Sequence, residues 1–427
     1  MAEGCCTYRT GLGGLFRHSS PMSIEVGKWG RDKRALMIHA DGNLFNNPTL
    51  KCVADMMLAR GYEIDFRYPR SEAPMPEVDG LHYLPFGARL WRLKTILFNR
   101  LAVFPLAICT VLLEKLFLYR KYDLIIAVDR LGLIEAAALS ALTGTPYILI
   151  SFEIMFASET SNRVKRIERK ASRNLALWVI QDEERAACLQ AENELDPKKR
   201  MLVPLASLGM GTQAGQRLRD DLGIPKDKKV AILMGSIADW AMAKEVIISA
   251  LAWPNDWVLI IHDRYGLTEQ RLSGLMDQLQ PALGRNIYIS HAAADAVDDM
   301  SRILGGVDAG LAFYKPVYIG PYLGKNLVHL GLASGKISTC LRYGVPVVTN
   351  EIGLYAQKIR SFQLGDVVAT PEQIGQCLSA FKPETYGRNA QVFFSRELDF
   401  GLYAEMLWAR MEVARTGHDL SAGSKQT

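Results

Sequence analysis

Short apolar runs recur along the chain, each followed by turn-forming residues and then by a longer stretch whose apolar positions repeat every three to four residues. The short runs read as buried strands and the longer stretches as amphipathic helices, so the alternation predicts parallel sheets with right-handed crossovers. In the N-terminal half, strands are predicted over 34–40 (RALMIHA), 62–68, 81–84, 123–128, 147–151 and 177–180. The run at 123–128 (DLIIAV) is continuous rather than alternating, the mark of a central strand covered on both faces. Helices are predicted over 48–60, closed by Gly61, over 90–120, over 131–142 and over the basic stretch 162–174.

The pattern restarts after the polar lead-in 224–229 (IPKDKK), with strands predicted at 230–234, 257–262, 286–290, 309–313 and 346–349. Two such series, each opening with a strand and a loop, predict an α/β protein of two doubly wound, Rossmann-like domains facing a central cleft. The expected division is a flexible leader 1–33, a first domain 34–207, a second domain 208–385, a closing helix 386–415 and a disordered tail 416–427.

Size and composition agree with this. At 427 residues the chain is too long for one ordinary α/β core and suits two. With 49% hydrophobic and 22% charged residues it has the balance of a globular protein. The net charge of +5 is mild and leaves phosphate-bearing ligands and anionic lipid open without requiring either. Seven scattered cysteines with no C-x-x-C pair argue against a disulfide framework or a zinc site and suit a reducing cytoplasm. Cys5 and Cys6 read as thiols of the leader, with lipidation as the alternative. No secretory signal is expected in the first thirty residues.

The stretch 101–119 is apolar but holds Pro105, Glu114 and Lys115, whereas a spanning helix needs about 20 largely uncharged residues. It reads as a buried or surface-lying helix. Just before it, Arg89, Arg92, Lys94 and Arg100 interleave with Leu90, Trp91, Leu93, Ile96 and Leu97, the composition of an interfacial helix and equally of an ordinary covered one. The basic residues are not gathered with a nucleic-acid-reading motif, so no nucleic-acid partner is expected.

Open α/β sheets bind ligands at the carboxyl ends of their strands. In the second half those ends carry Gly235-Ser236, then His262-Asp263-Arg264-Tyr265-Gly266, and then Gly331 to Lys336 (GLASGK) before a helix. Ser334 can cap that helix, Gly335 opens room, and Lys336 adds positive charge where the helix terminus already favours an anion. The spacing is not that of a P-loop, and a capped helix with a solvated lysine would read the same way. His291 is placed to approach a base or sugar. In the first half, Asp41, Gly42 and Asn43 follow the first strand, Asp129-Arg130 follow DLIIAV, and Glu153 follows 147–151. Each carboxylate could instead serve as a helix cap or ion-pair partner. Glu153 and Asp129 are preferred as catalytic candidates because they follow long buried strands and so point at the cleft. His39 reads as a core histidine. No D-x-D loop or histidine pair at ligand spacing is present, so no metal is expected.

The segment 326–348 (NLVHLGLASGKISTCLRYGVPVV) resembles the donor-binding segment of GT-B glycosyltransferases. Lys336 falls on the family's lysine, and Gly344, Pro346 and Val347 on its G-x-P-V strand. The stretches 307–312 (VDAGLA) and 178–185 (WVIQDEER) look like further family segments, and the resemblance covers about 34–381. It implies a GT-B fold of the bacterial, retaining type that transfers a sugar from a nucleoside diphosphate sugar to a saccharide or lipid-linked acceptor in cell-surface glycan synthesis. Neither metal nor cofactor is implied. Donor contacts are then expected from Gly235, Ser236, Arg264, His291, Asn326, Ser334, Gly335, Lys336 and Thr339, and acceptor contacts from Asp41, Gly42 and Asn43. The implied location is cytoplasmic, at the inner face of the plasma membrane, with peripheral contact through 89–119.

Three positions depart from the family pattern. Thr339 stands where many members place a glutamate for the donor ribose, Gly331 replaces the partner glutamate of E-x7-E, and Ser236 replaces an arginine. Threonine cannot supply a charge-assisted contact. Lys244 could restore the arginine's charge or be a solvated helix lysine. A sugar-nucleotide 2-epimerase on the same fold and a non-catalytic scaffold of a polysaccharide assembly complex are the alternatives.

Overall fold

The computed structural model describes residues 33–40, 42, 44–69, 75–86, 120–212, 214–215, 217–263, 268–290, 299–319 and 322–417. They form two all-parallel sheets. The first has the order β3-β2-β1-β4-β5-β6-β7, built from Lys33–His39, Tyr62–Pro69, Leu81–Phe86, Leu124–Val128, Tyr147–Ile150, Leu177–Ile180 and Arg200–Leu202 as β1 to β7. The second has the order β10-β9-β8-β11-β12-β13, from Lys229–Gly235, Trp257–Asp263, Ile287–Ser290, Ala309–Ala312, Val347–Thr349 and Gly365–Val367 as β8 to β13. The strand order reverses at β1/β4 and at β8/β11, and a doubly wound sheet opens its ligand crevice at such a reversal.

The burial pattern explains why these runs become strands. β4 and β9 are buried along their whole length, as expected of central strands covered by helices on both faces. In β1, Leu36 and Ile38 join one core while Ala35 and Met37 join the other, the period of two that sends successive side chains to opposite faces. The second sheet is likewise covered on both sides, with Ile232 and Val347 in one core and Leu233 and Val348 in the other. The predicted strands and helices within the described residues all appear, shifted by a few residues at their ends. The edge strands β7 and β13 have no predicted counterpart, because RML and GDV are short and only partly buried and so show no apolar run of the kind that marks β12.

The closing element is not one helix over 386–415. The chain runs through the helix Pro383–Phe393 and a wide turn Phe394–Leu398, breaks, and continues as the helix Gly401–Thr416. The break has a cause: Asp399 Oδ1 accepts from the amides of Gly209 and Gly401, each at 2.8 Å, and the Phe400 amide donates to Ser207 O. The first helix packs Ala390 and Phe393 on the second domain, whereas Phe400, Leu407 and Met411 return to the core of the first. The C-terminal segment therefore ties the two domains together.

The helix expected over 90–120 lies outside the described residues as far as residue 119, and so does the stretch 89–119, as do Asp41, Asn43, Arg264 and His291. Among the described residues no helix is long and apolar enough to cross a membrane.

Candidate active site

A cavity of about 300 Å³ opens where the carboxyl ends of the two sheets face each other. The first domain contributes Asn47 and Pro48 at the start of a helix, and Phe152 and Glu153 just after β5. The Asn47-Pro48 pair is an N-cap followed by proline at the first helical position, and Asn47 Oδ1 accepts from the Leu50 amide at 2.9 Å. Thr49 anchors that helix end to the interdomain connection, its hydroxyl lying 3.1 Å from Pro204 O and 2.9 Å from Ala206 O. The second domain contributes Gly235 and Ser236 after β8, Tyr314 after β11, and residues from Tyr322 to Thr339.

Ser334 caps the helix Gly335–Arg342, accepting from the Ile337 amide at 3.2 Å, and its hydroxyl is 2.6 Å from that of the buried Tyr314. Lys336, in the first turn, projects over two rings: its Nζ is 5.1 Å from the centre of Trp240 and 5.6 Å from that of Tyr314. Those rings stack on each other at 6.0 Å. Aromatic faces attract a cation, so the two rings hold the lysine beside the helix N-terminus, and both bring positive potential to the cavity. Gly235 makes this possible. Its φ is +93°, and a Cβ there would stand 3.0 Å from Lys336 Cε.

Glu153 sits opposite, on a turn held by Asp129. The Asp129 carboxylate accepts from the amides of Phe152 at 2.6 Å and Glu153 at 2.9 Å. Asp129 itself is buried and does not line the cavity. Glu153 in turn accepts a hydrogen bond from the side-chain amide of Asn326 in the other domain. Burial pushes the Glu153 carboxyl up to about 7, against the opposing pull of the Arg185 guanidinium and the Asn326 amide. A carboxyl that titrates near neutrality, at a cleft wall, is matched to proton transfer.

Arg185 is fully buried and links the domains, donating to Gln181 Oε1, Phe152 O, His329 O and Asn326 Oδ1. Asp182 caps the same helix through the Arg185 amide and accepts from the Leu332 amide at 2.7 Å. This explains Gly331. Its φ is +55°, and a Cβ there would stand 2.0 Å from Asp182 Oδ2, so a carboxylate from the first domain fills the space that any side chain at 331 would need.

Seven of the nine expected donor contacts line this one cavity: Gly235, Ser236, Asn326, Ser334, Gly335, Lys336 and Thr339. Gly42 instead packs over the ring of His39, whose burial lowers its pKa to about 4 and keeps it neutral. Lys244 is exposed on the helix Ala243–Ser249 and does not line the cavity. Sequence reasoning missed Trp240, Tyr314, Phe152 and the Asn47-Pro48 terminus. Only the last carried a local signal, its N-cap and proline. Among the described residues no three His, Cys, Asp or Glu side chains gather as a metal-binding group.

No protein-family model matches the chain, and no curated protein sequence matches it. Solved structures do. A sucrose-phosphate synthase from Thermosynechococcus elongatus superposes with a TM-score of 0.63 at 13% identity, covering 88% of this chain and 97% of that one. Anabaena HepE in complex with UDP-glucose gives 0.62 at 14% identity, covering 89% and 99%. WaaG, a glycosyltransferase involved in lipopolysaccharide biosynthesis, gives 0.59 at 13% identity, covering 87% and 99%. Two parallel sheets of seven and six strands, matched over nearly the whole length of these enzymes, establish that the chain has the GT-B fold, two Rossmann-like domains meeting at a cleft.

Proposed function

We propose that the chain is a metal-independent glycosyltransferase that moves a sugar from a nucleoside diphosphate sugar to a saccharide or lipid-linked acceptor. The observation that carries this reading is the sharing of one cavity by Lys336, at a helix N-terminus of the second domain, and Glu153, from the first. A diphosphate suits the former and an acceptor hydroxyl the latter. The solved structures of HepE with UDP and UDP-glucose lend support, since they pair this fold with such a donor.

In the reaction, the bond between the sugar C1 and the diphosphate oxygen breaks, and its electron pair leaves with the diphosphate. Lys336 and the Gly335–Arg342 helix terminus stabilise that charge as it develops, the role a preformed positive site plays best. The acceptor oxygen bonds to C1 and gives up its proton. Glu153, ionised, takes that proton or stabilises the positive charge at C1; Asp129 holds the turn that presents it. Thr339, one turn after Lys336, offers a hydroxyl to the nucleotide in place of a carboxylate. A lipid-linked acceptor at a membrane surface is the class that the basic and apolar stretch 89–119 suits.

The donor class is tested by thermal shift with UDP, GDP and ADP and their sugars, in the presence of EDTA. At least one diphosphate raises Tm under these conditions, because the positive groups belong to the chain. No shift with any of them, or a shift that appears only when magnesium or manganese is restored, contradicts the assignment.

A further inference from the structure

Asn326 reads from sequence as a donor contact, yet all three hydrogen bonds of its side chain cross to the first domain. Its Oδ1 accepts from the Ile154 amide at 3.0 Å and from Arg185 at 3.2 Å, while its Nδ2 donates to the Glu153 carboxylate. A flipped amide would set donor against donor at two of these contacts, so the orientation follows from the partners. The side chain is 4% exposed. It sits on a strap that is fastened to the first domain at several further points. The Lys325 amide donates to Glu159 at 2.5 Å, and His329 Nδ1 lies 2.8 Å from Glu184. The His329 ring stacks on Phe156 at 5.6 Å, and the Leu332 amide reaches Asp182. The same strap runs on into Ser334 and Lys336.

We propose that Asn326 is a positioning residue that makes Glu153 competent only while the two domains are closed on each other. This rests on the reading of Glu153 given above. The first domain holds the Phe152 and Glu153 end of the turn, through Asp129 and through Arg185 on Phe152 O, while Asn326 holds the Ile154 amide. The hydrogen bond that orients the carboxylate comes from the second domain, from the segment that leads into the diphosphate site. When the domains part, Glu153 loses the donor that orients its carboxylate, and Arg185 loses Asn326 and His329. A group prepared only on closure protects the donor from reacting with water before the acceptor is in place.

The charged group facing Glu153 is Arg185, in the helix Glu183–Asn193; Asp182 and Asp129 lie around that guanidinium, Asp129 also holding the Glu153 amide, and Lys336 lines the same cavity. An Asn326 variant leaves all of these residues in place and takes one acceptor from Arg185, which keeps Gln181, Phe152 and His329, so the pH profile of turnover reports on the amide.

The test compares pH–rate profiles of the full chain for wild type, Asn326→Ala, the isosteric Asn326→Asp and Glu153→Gln, with UDP, GDP and ADP affinities measured alongside. With Asn326→Ala, turnover below pH 7 falls about tenfold, the rising limb moves to higher pH, and the rate at high pH recovers. Nucleoside diphosphate affinity stays within about twofold. Asn326→Asp keeps the two accepted hydrogen bonds and sets a second carboxylate against Glu153, so its limb moves further; as an isostere it also serves if the alanine variant fails to fold. A limb that stays put in Asn326→Asp, a loss of turnover equal at every pH, or nucleotide affinity weakened more than about tenfold overturns the proposal. The Glu153→Gln profile separates the two claims. If it lacks the limb, a stationary limb in the Asn326 variants defeats only the role of Asn326; if it keeps the limb, the reading of Glu153 fails first.

Discussion

Replacing Glu153 by glutamine lowers turnover by about 10²–10⁴-fold, the contribution of a positioned base or charge stabiliser, and leaves nucleoside diphosphate affinity near wild type. The shape of the side chain and the geometry of its turn are kept, since the turn is held by Asp129 through backbone amides rather than by the Glu153 carboxylate. Wild-type turnover rises with pH through about 7, where this carboxyl gives up its proton, and the glutamine variant lacks that rise. Stability moves the other way. A carboxyl whose pKa is raised on folding holds its proton more tightly in the native state, so it favours folding most at low pH and opposes it increasingly as pH rises from about 4.5 through about 7. The inactive glutamine variant is therefore at least as stable as wild type at pH 8, the trade-off expected where a buried charge serves function. Rate assays across pH and thermal melts check both halves. If Glu153→Gln loses less than about tenfold while Asp129→Asn loses far more, the roles of the two carboxylates are exchanged.

Lys336→Ala weakens nucleoside diphosphate binding by about 1–3 kcal/mol, the range for a charged hydrogen bond and roughly a 5- to 150-fold change in Kd. The effect is confined to the lost cation. Trp240 and Tyr314 remain stacked and Tyr314 keeps its contact with Ser334, so the helix terminus keeps its cap. Calorimetric titration with UDP, GDP and ADP reads the change, and unchanged affinities for all three remove Lys336 from the donor site.

The parts of this molecule that were legible in its sequence are those specified by neighbours in the chain. β4 and β9 are buried on both faces and so read as unbroken apolar runs. The Ser334 cap and the Gly235 turn are likewise written within a few residues, and both lie at the cavity. What could not be read depends on residues far apart in sequence. Asp182 meets Leu332 across 150 positions, and only that contact explains why residue 331 is glycine where the resemblance leads one to expect a glutamate. The break in the closing segment at Asp399 depends on Gly209, 190 positions away. Asp129 follows a buried strand as a cleft carboxylate should, but its left-handed backbone and its two amide partners turn it inward to organise Glu153. Trp240 and Tyr314 carry no local pattern, because the cation they hold lies 96 and 22 positions further along the chain.

Glycosyl transfer across the cleft is tested most directly by mass analysis of products formed from a nucleotide sugar with and without a saccharide acceptor. The expected result is release of nucleoside diphosphate together with an elongated acceptor, both dependent on the acceptor and both lost in Glu153→Gln. An epimerised nucleotide sugar formed from donor alone would contradict it and identify a 2-epimerase. Absence of both product and nucleotide binding across the panel would contradict it in favour of a non-catalytic scaffold.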